Sequence, residues 1–138
     1  MSYMTAQGLL KTLIATVTSF ESGDVVEGDL RVLDHGATYA CVIFPGALPG
    51  YDLASMTRVQ EYEAMVDLFV RYVDTGAYSL LGTLRDAVIT VLEVAPCLSE
   101  TYYVTAIRGD EPVELYDTTG AGPFFVSQRL HMTIQEQV

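Results

Sequence analysis

The stretch that most limits what this chain can become is residues 57–73. There Tyr62, Ala64, Val66, Leu68, Val70 and Tyr72 recur at every second position, separated by Glu61, Glu63, Met65, Asp67, Phe69 and Arg71. A helical reading (Met65, Phe69, Tyr72) matches fewer positions, so the period of two decides for a strand. Aromatic and β-branched side chains favour the same choice. A strand this long, apolar on one face and mostly polar on the other, needs neighbouring strands and an apolar layer against one face.

The rest of the chain supplies both. Residues 5–20 carry Leu9, Leu10, Leu13, Ile14 and Val17 at helical spacing, and Gly23 is placed to end that helix. Residues 25–33 and 38–44 read as strands on either side of the turn Asp34-His35-Gly36. In the second, Tyr39, Cys41 and Ile43 face one way and Ala40, Val42 and Phe44 the other; both sets are apolar, which predicts a strand covered on both faces. The run PGALPG, within 45–51, is a loop. Ser79 is positioned to cap a helix running to Val94, with Leu80, Leu81, Leu84, Val88, Val91 and Leu92 as its apolar stripe and Pro96 as its stop.

Residues 102–108 and 124–136 are two further strands. The last sets Phe124, Val126, Leu130, Met132 and Ile134 on one side, with Gln128 as the polar exception. Ser127, Arg129, His131, Thr133 and Gln135 lie on the other side. The polar, Gly-rich stretch 109–122 between them is expected to be an exposed loop. This order predicts an α+β fold in a single domain over residues 1–138: a mixed, mostly antiparallel sheet flanked by two helices. Layer order and strand order stay open.

A chain of 138 residues, half of them hydrophobic, can bury a core without staples. No apolar run approaches the roughly 18–20 residues that span a bilayer, and the opening segment reads as a helix and not as a secretory signal. Cys41 and Cys97 sit in apolar runs outside any CxxC pair and are expected to be two buried thiols. Eighteen acids against seven bases give a net charge of −11, which disfavours a duplex-binding groove. The charge suits simple solubility, or a surface that lies beside DNA without holding it.

The constellations of catalysis are missing: no GxxxxGK[ST] or GxGxxG loop and no GxSxG elbow. Neither His35, in a turn, nor His131, on the polar side of a strand, has metal-ligand spacing. Carboxylates gather as Asp24/Glu27/Asp29, Glu61/Glu63/Asp67 and Asp110/Glu111/Glu114/Asp117. The second set shares one strand face and could in principle hold Ca²⁺ or form acid–base pairs, but no Gly-punctuated DxDxDG loop accompanies it, and a solvated face is expected. The expectation is a protein that works by binding other chains and not as an enzyme, with no metal, nucleotide or organic cofactor.

In order and texture the whole chain resembles the tail terminator (tail completion) proteins of long-tailed bacteriophages. An opening amphipathic helix leads into VVEGDLRVLDHGATYACVIFPG, then the alternating TRVQEYEAMVDLFVRYV, the helix LLGTLRDAVITVLEVAP and the final strand FFVSQRLHMTIQEQV. The resemblance implies a mixed sheet flanked by helices. It also implies a homo-oligomeric ring, usually of six copies, in the virion at the head–tail junction. Such a ring caps the head-proximal end of the tail tube, stops tube polymerisation and offers a surface to a head completion or neck protein. DNA passes through it without specific binding, no membrane is involved, and the family has no catalytic residues to carry over. The alternatives are a head-side connector or stopper, another minor tail protein, or a small oligomeric binding domain unrelated to phages.

Two sets of contact residues follow from the strand reading. Met65 and Phe69 lie on the polar register of the long strand, and Tyr51 and Met56 lie in or beside the Pro/Gly loop; all four are expected at subunit interfaces. In a ring, an acidic bore would let DNA slide, and Asp110, Glu111, Glu114 and Asp117 are the favoured lining, ahead of Asp24, Glu27 and Asp29.

Overall fold

The computed structural model describes residues 2–21, 23–28, 38–46, 60–72, 75–116 and 123–136. Along the chain lie α1 (Ser2–Ile14), β1 (Val25–Glu27), β2 (Tyr39–Pro45), β3 (Gln60–Arg71), α2 (Gly76–Val94), β4 (Tyr102–Gly109), β5 (Val113–Tyr116) and β6 (Pro123–Glu136). The strands form one sheet in the order β1-β2-β3-β6-β4, with β5 also paired to β6. Only β1 and β2 run parallel; every other pair is antiparallel. The fold is α+β, and both helices lie on one face of the sheet.

That face is set by the alternation in β3. Tyr62, Ala64, Val66, Leu68 and Val70 all point into one core with Cys41 and Ile43 of β2 and Val126, Leu130, Met132 and Ile134 of β6. Leu10 and Ile14 of α1 and Leu81, Leu84, Val88 and Leu92 of α2 close it from above. A buried aliphatic side chain of this kind contributes about 1.5–3 kcal/mol, so this layer holds the domain together. The other face of β2 is buried too, as its double apolar pattern predicts: Ala40 and Val42 pack with Phe69 and Phe125 in a second, small cluster.

Four expectations change. The first helix ends at Ile14 and not near Phe20, and the chain continues in tight turns in which Val17 N–H donates to Ile14 and Phe20 N–H to Val17. Thr16 Oγ1 donates to the Leu13 carbonyl at 2.6 Å, the side-chain competition that makes hydroxyl residues poor helix continuations. Ser79 is inside α2, whose N-cap is Thr75 with no side-chain cap bond, and Leu80 faces solvent. Cys97 is exposed, while Cys41 is buried, and burial pushes the Cys41 thiol up. Finally, 109–122 is not simply a loop. β5 forms within it, because Val113, Glu114 and Leu115 find Ser127, Val126 and Phe125 on the β6 edge that β4 leaves free. β4 and β5 thus make one edge ribbon along β6, bent at residues 110–112.

Candidate functional site

No helix covers the second face of the sheet among the described residues, and here the polar register of β3 meets the polar register of β6. Asp67 lies opposite Arg129, and Met65 opposite His131. The Arg129 Nε and Nη2 donate to the two Asp67 oxygens at 2.8 and 3.1 Å, a two-pronged pair that only a guanidinium makes. The Asp67 side chain is 7% exposed and that of Arg129 42%. The Arg129 guanidinium also sits 4.9 Å from the centre of the Phe44 ring, so a cation–π contact holds its other side.

Beside this pair His131 is clasped from both sides. Its Nδ1 lies 2.9 Å from Glu63 Oε1 and its Nε2 2.9 Å from Asp110 Oδ2. Two carboxylates facing both ring nitrogens are satisfied together only by the imidazolium. Hydrogen bonding to Glu63, then to Asp110, accordingly raises His131 above its ordinary value, and the bond from His131 lowers Asp110. Gly46 makes this possible on the β2 side. A Cβ there would come within 2.7 Å of Glu63 Cγ, so only glycine lets the end of β2 pass so close to the clasping carboxylate.

Asp110 also fixes the bend of the edge ribbon. Its N–H donates to the Arg129 carbonyl at 2.9 Å, its carbonyl accepts from Gln128 Nε2 at 2.8 Å, and Arg108 approaches its carboxylate at 3.5 Å. The result is a cleft of about 280 Å³ with Phe69 and Ser127 at its base, Val113 and Leu115 on one wall and Asp67 and Arg129 on the other.

The residues expected at subunit contacts separate here. Phe69 is 1% exposed: it packs edge-on to Phe125, ring centres 6.1 Å apart, and Leu115 of β5 packs against the same cluster. It is a core residue of the second face and not an exposed contact. The polar pattern of 109–122 shows no strand, and it is β5, formed there, that brings Leu115 to this cluster. Met65 is half-buried on the open face, and Tyr51 and Met56 lie outside the described residues.

The acids expected to line a bore do not share a surface. Asp110 is clasped on the open face. Glu114 faces the helix side and accepts from the hydroxyls of Tyr78 and Tyr116, which lowers Glu114 and pushes Tyr78 up to about 12. Glu111 is exposed at the bend, and Asp117 lies outside the described residues, as do His35 and Asp29. Asp24 accepts from the Glu21 N–H. The row Glu61/Glu63/Asp67, expected to be solvated, is bonded to β6: Glu61 takes a hydrogen bond from Gln135, Glu63 from His131 and Asp67 from Arg129. The signal was present in the sequence as basic residues two apart on the polar side of the last strand, facing acids on the polar side of β3.

Chemically the arrangement is a fixed polar surface. Both nitrogens of His131 are engaged by carboxylates, so it is not poised to take a proton from a nucleophile such as Ser127. Among the described residues no group of three or more His, Cys, Asp or Glu side chains is placed to hold a metal ion. No described helix is long and apolar enough to cross a membrane.

No protein-family model matches the chain, and no curated protein matches it. One solved structure superposes with a TM-score of 0.53 at 15% identity, covering 99% of this chain and 94% of that one. The two share a fold. A chain of the virion of a native gene transfer agent (GTA) particle aligns with a TM-score of 0.40 at 12% identity, over 98% of this chain and 87% of that one.

Proposed function

We propose that this chain is a structural protein of a phage-like virion that works by binding and not by catalysis, and more specifically a tail terminator. In this reading it forms a ring, usually of six copies, on the head-proximal end of the tail tube. One side of the ring ends tube polymerisation, and the other receives a head completion or neck protein. DNA passes through without specific contacts, in keeping with a net charge of −11. The order of helices and strands along the chain supports the reading, as does the one observation that carries it: the subunit is two-faced. One side of its sheet is sealed by both helices, and the other presents locked ion pairs over which no helix lies among the described residues. A ring that meets different partners above and below needs two such unlike surfaces.

The test is tube assembly. Purified protein added to polymerising tube protein should shorten the tubes in a dose-dependent way, and negative-stain images should show rings on one tube end only. Tubes of unchanged length with no ring on either end would sink the assignment.

A further inference from the structure

Among the described residues the sheet is bounded by β1 on one side and by β4, continued by β5, on the other. Each is paired on one side only among the described residues: β1 with β2, and β4 with β6. The first part of β4 is covered on its outer side by the chain itself, where Val104 N–H donates to the Pro96 carbonyl at 2.8 Å and Cys97 bridges to Tyr103. Beyond a register shift between Val104 and Ala106, residues 105–109 have no strand on that side among the described residues. An unpaired edge presents a row of backbone donors and acceptors, which a second chain can complete.

The helix layer stops short at the same place. A groove of about 430 Å³ runs between α2 and this edge, with Ile89 and Leu92 on the helix side, Val104 and Ile107 on the strand side and Leu130 beneath. α1 lies mainly over β1 and β2 and α2 mainly over β3 and β6, which puts β4 at the margin of the helix layer among the described residues. Among the described residues both layers thus thin out at the β4 end, and at the β1 end the sheet finishes under α1 with no further strand beside it. A neighbouring copy whose β1 continued the sheet would bring its own α1 over the uncovered groove.

Strand direction permits this. β1, β2 and β6 run one way and β3 and β4 the other. Copies related by rotation about an axis along the strands keep those directions, so β1 of one copy meets β4 of the next antiparallel, the pairing that needs no slanted bonds. Such a contact joins two unlike surfaces and closes into a ring when the rotation closes.

Charge supplies a second, independent match. Glu27, the last residue of β1, lies on the helix side, two residues from the buried Val25. Its Oε1 lies under α1 near Gly8, shut off from solvent and without a hydrogen-bond partner among the described residues, so the half-buried side chain has to turn outward to meet a donor on another chain. An orphaned carboxylate oxygen of this kind calls for a donor. In the groove, again on the helix side and with Glu93 along the same lining, Arg85 pairs among the described residues with the exposed carboxylate of its sequence neighbour Asp86, at 3.2 Å, a pairing that contributes little at a surface.

We propose that the sheet continues from one copy of this chain to the next: β1 adds antiparallel to residues 105–109 of β4, and Glu27 of one protomer pairs with Arg85 of its neighbour. This rests on the ring reading and specifies how the ring is built. Native mass spectrometry of the full chain first establishes whether a closed multimer forms. Hydrogen exchange then compares the multimer with the protein diluted to monomer, and residues 25–27 and 105–109 should exchange more slowly in the multimer. Arg85→Glu and Glu27→Arg should each weaken assembly about tenfold or more, as loss of a paired interfacial charge does, and the double variant should recover most of it. A multimer whose 105–109 amides exchange as fast as in the monomer, or whose assembly ignores the charge swap, overturns the inference and leaves the ring reading standing. A chain that stays monomeric even with tube protein overturns both. Should a charge variant fail to fold, the exchange measurement on the natural chain decides alone.

Discussion

The two faces of this sheet are built from the same strands and hold together by different physics. On the helix side, alternate residues of β2, β3 and β6 meet α1 and α2 in an apolar core. Its cohesion is non-directional, scales with area and tolerates exchange of one aliphatic residue for another of like volume. On the open side the intervening residues meet in pairs that have geometry: Asp67 with Arg129, and Glu63 and Asp110 with His131. Only four buried apolar residues, Ala40, Val42, Phe69 and Phe125, lie among the described residues of that face. The first face supplies stability; the second supplies a shape held by its own pairs, with no helix over it among the described residues. A protein that must offer a defined surface to another chain needs the second as much as the first.

The sharpest way to break this contrast is Phe69→Asp. If the four-residue cluster is a true core, the variant loses the edge-on packing against Phe125 and takes a carboxylate out of water; Arg71, whose guanidinium lies 5.8 Å from the centre of the Phe125 ring, offsets only part of this, and a loss of about 3–5 kcal/mol leaves a small domain largely unfolded. Circular dichroism of the variant checks this. A folded variant with an unchanged melting temperature would make the open face an ordinary surface.

A smaller loss is expected from Arg129→Met. It strips both hydrogen bonds from the Asp67 carboxylate, which is 7% exposed. Removing one partner of a fully buried pair costs about 3–5 kcal/mol; with Arg129 itself partly exposed, a loss of about 2 kcal/mol is expected in urea unfolding. Adding Asp67→Asn should restore part of it, since the orphaned charge goes with its partner. A double variant worse than the sum of the singles would contradict the pairing.

The clasp on His131 should make stability depend on pH. Glu63 and Asp110 raise the folded histidine, so its contribution is complete below the ordinary value of 6.5 and is lost as pH rises through the raised folded value. Asp110 is lowered, so its share is present above the ordinary value of 3.8 and is lost as pH falls through its lowered folded value. The melting temperature should therefore fall as pH climbs past 6.5. His131→Gln should flatten that fall while leaving the fold intact. An identical slope in the variant would detach the clasp from stability.

The mildest probe changes nothing in the chain. Cys97 is exposed and Cys41 is buried with its thiol pushed up, so a thiol reagent should label one cysteine at once and the second only as the helix-side core opens. The rate of the slow step reports the stability of that core. Repeated on Arg129→Met, it shows how much of the open face's contribution reaches the other side of the sheet. Two equally fast thiols would place Cys41 outside the core.

The alternation in residues 62–70 determined by itself that a long strand exists and which of its residues face the helices, because a pleated strand shows opposite faces at period two whatever surrounds it. The stripes of α1 and α2 and the double apolar pattern of β2 were readable for the same local reason. Strand order was not, since hydrogen-bond partners along a sheet are chosen by long-range packing and leave no period in the sequence. Residues 113–116 carry no strand signal of their own, because VELY is short and sits among polar residues; the segment becomes a strand only where β6 has an edge to offer. Phe69 on a polar register looked exposed until that strand brought Leu115 beside it. Asp67, Glu63 and His131 were each visible as polar positions, but whether an acid is solvated or paired depends on which strand lies opposite and in what register. That is a property of the assembled sheet alone.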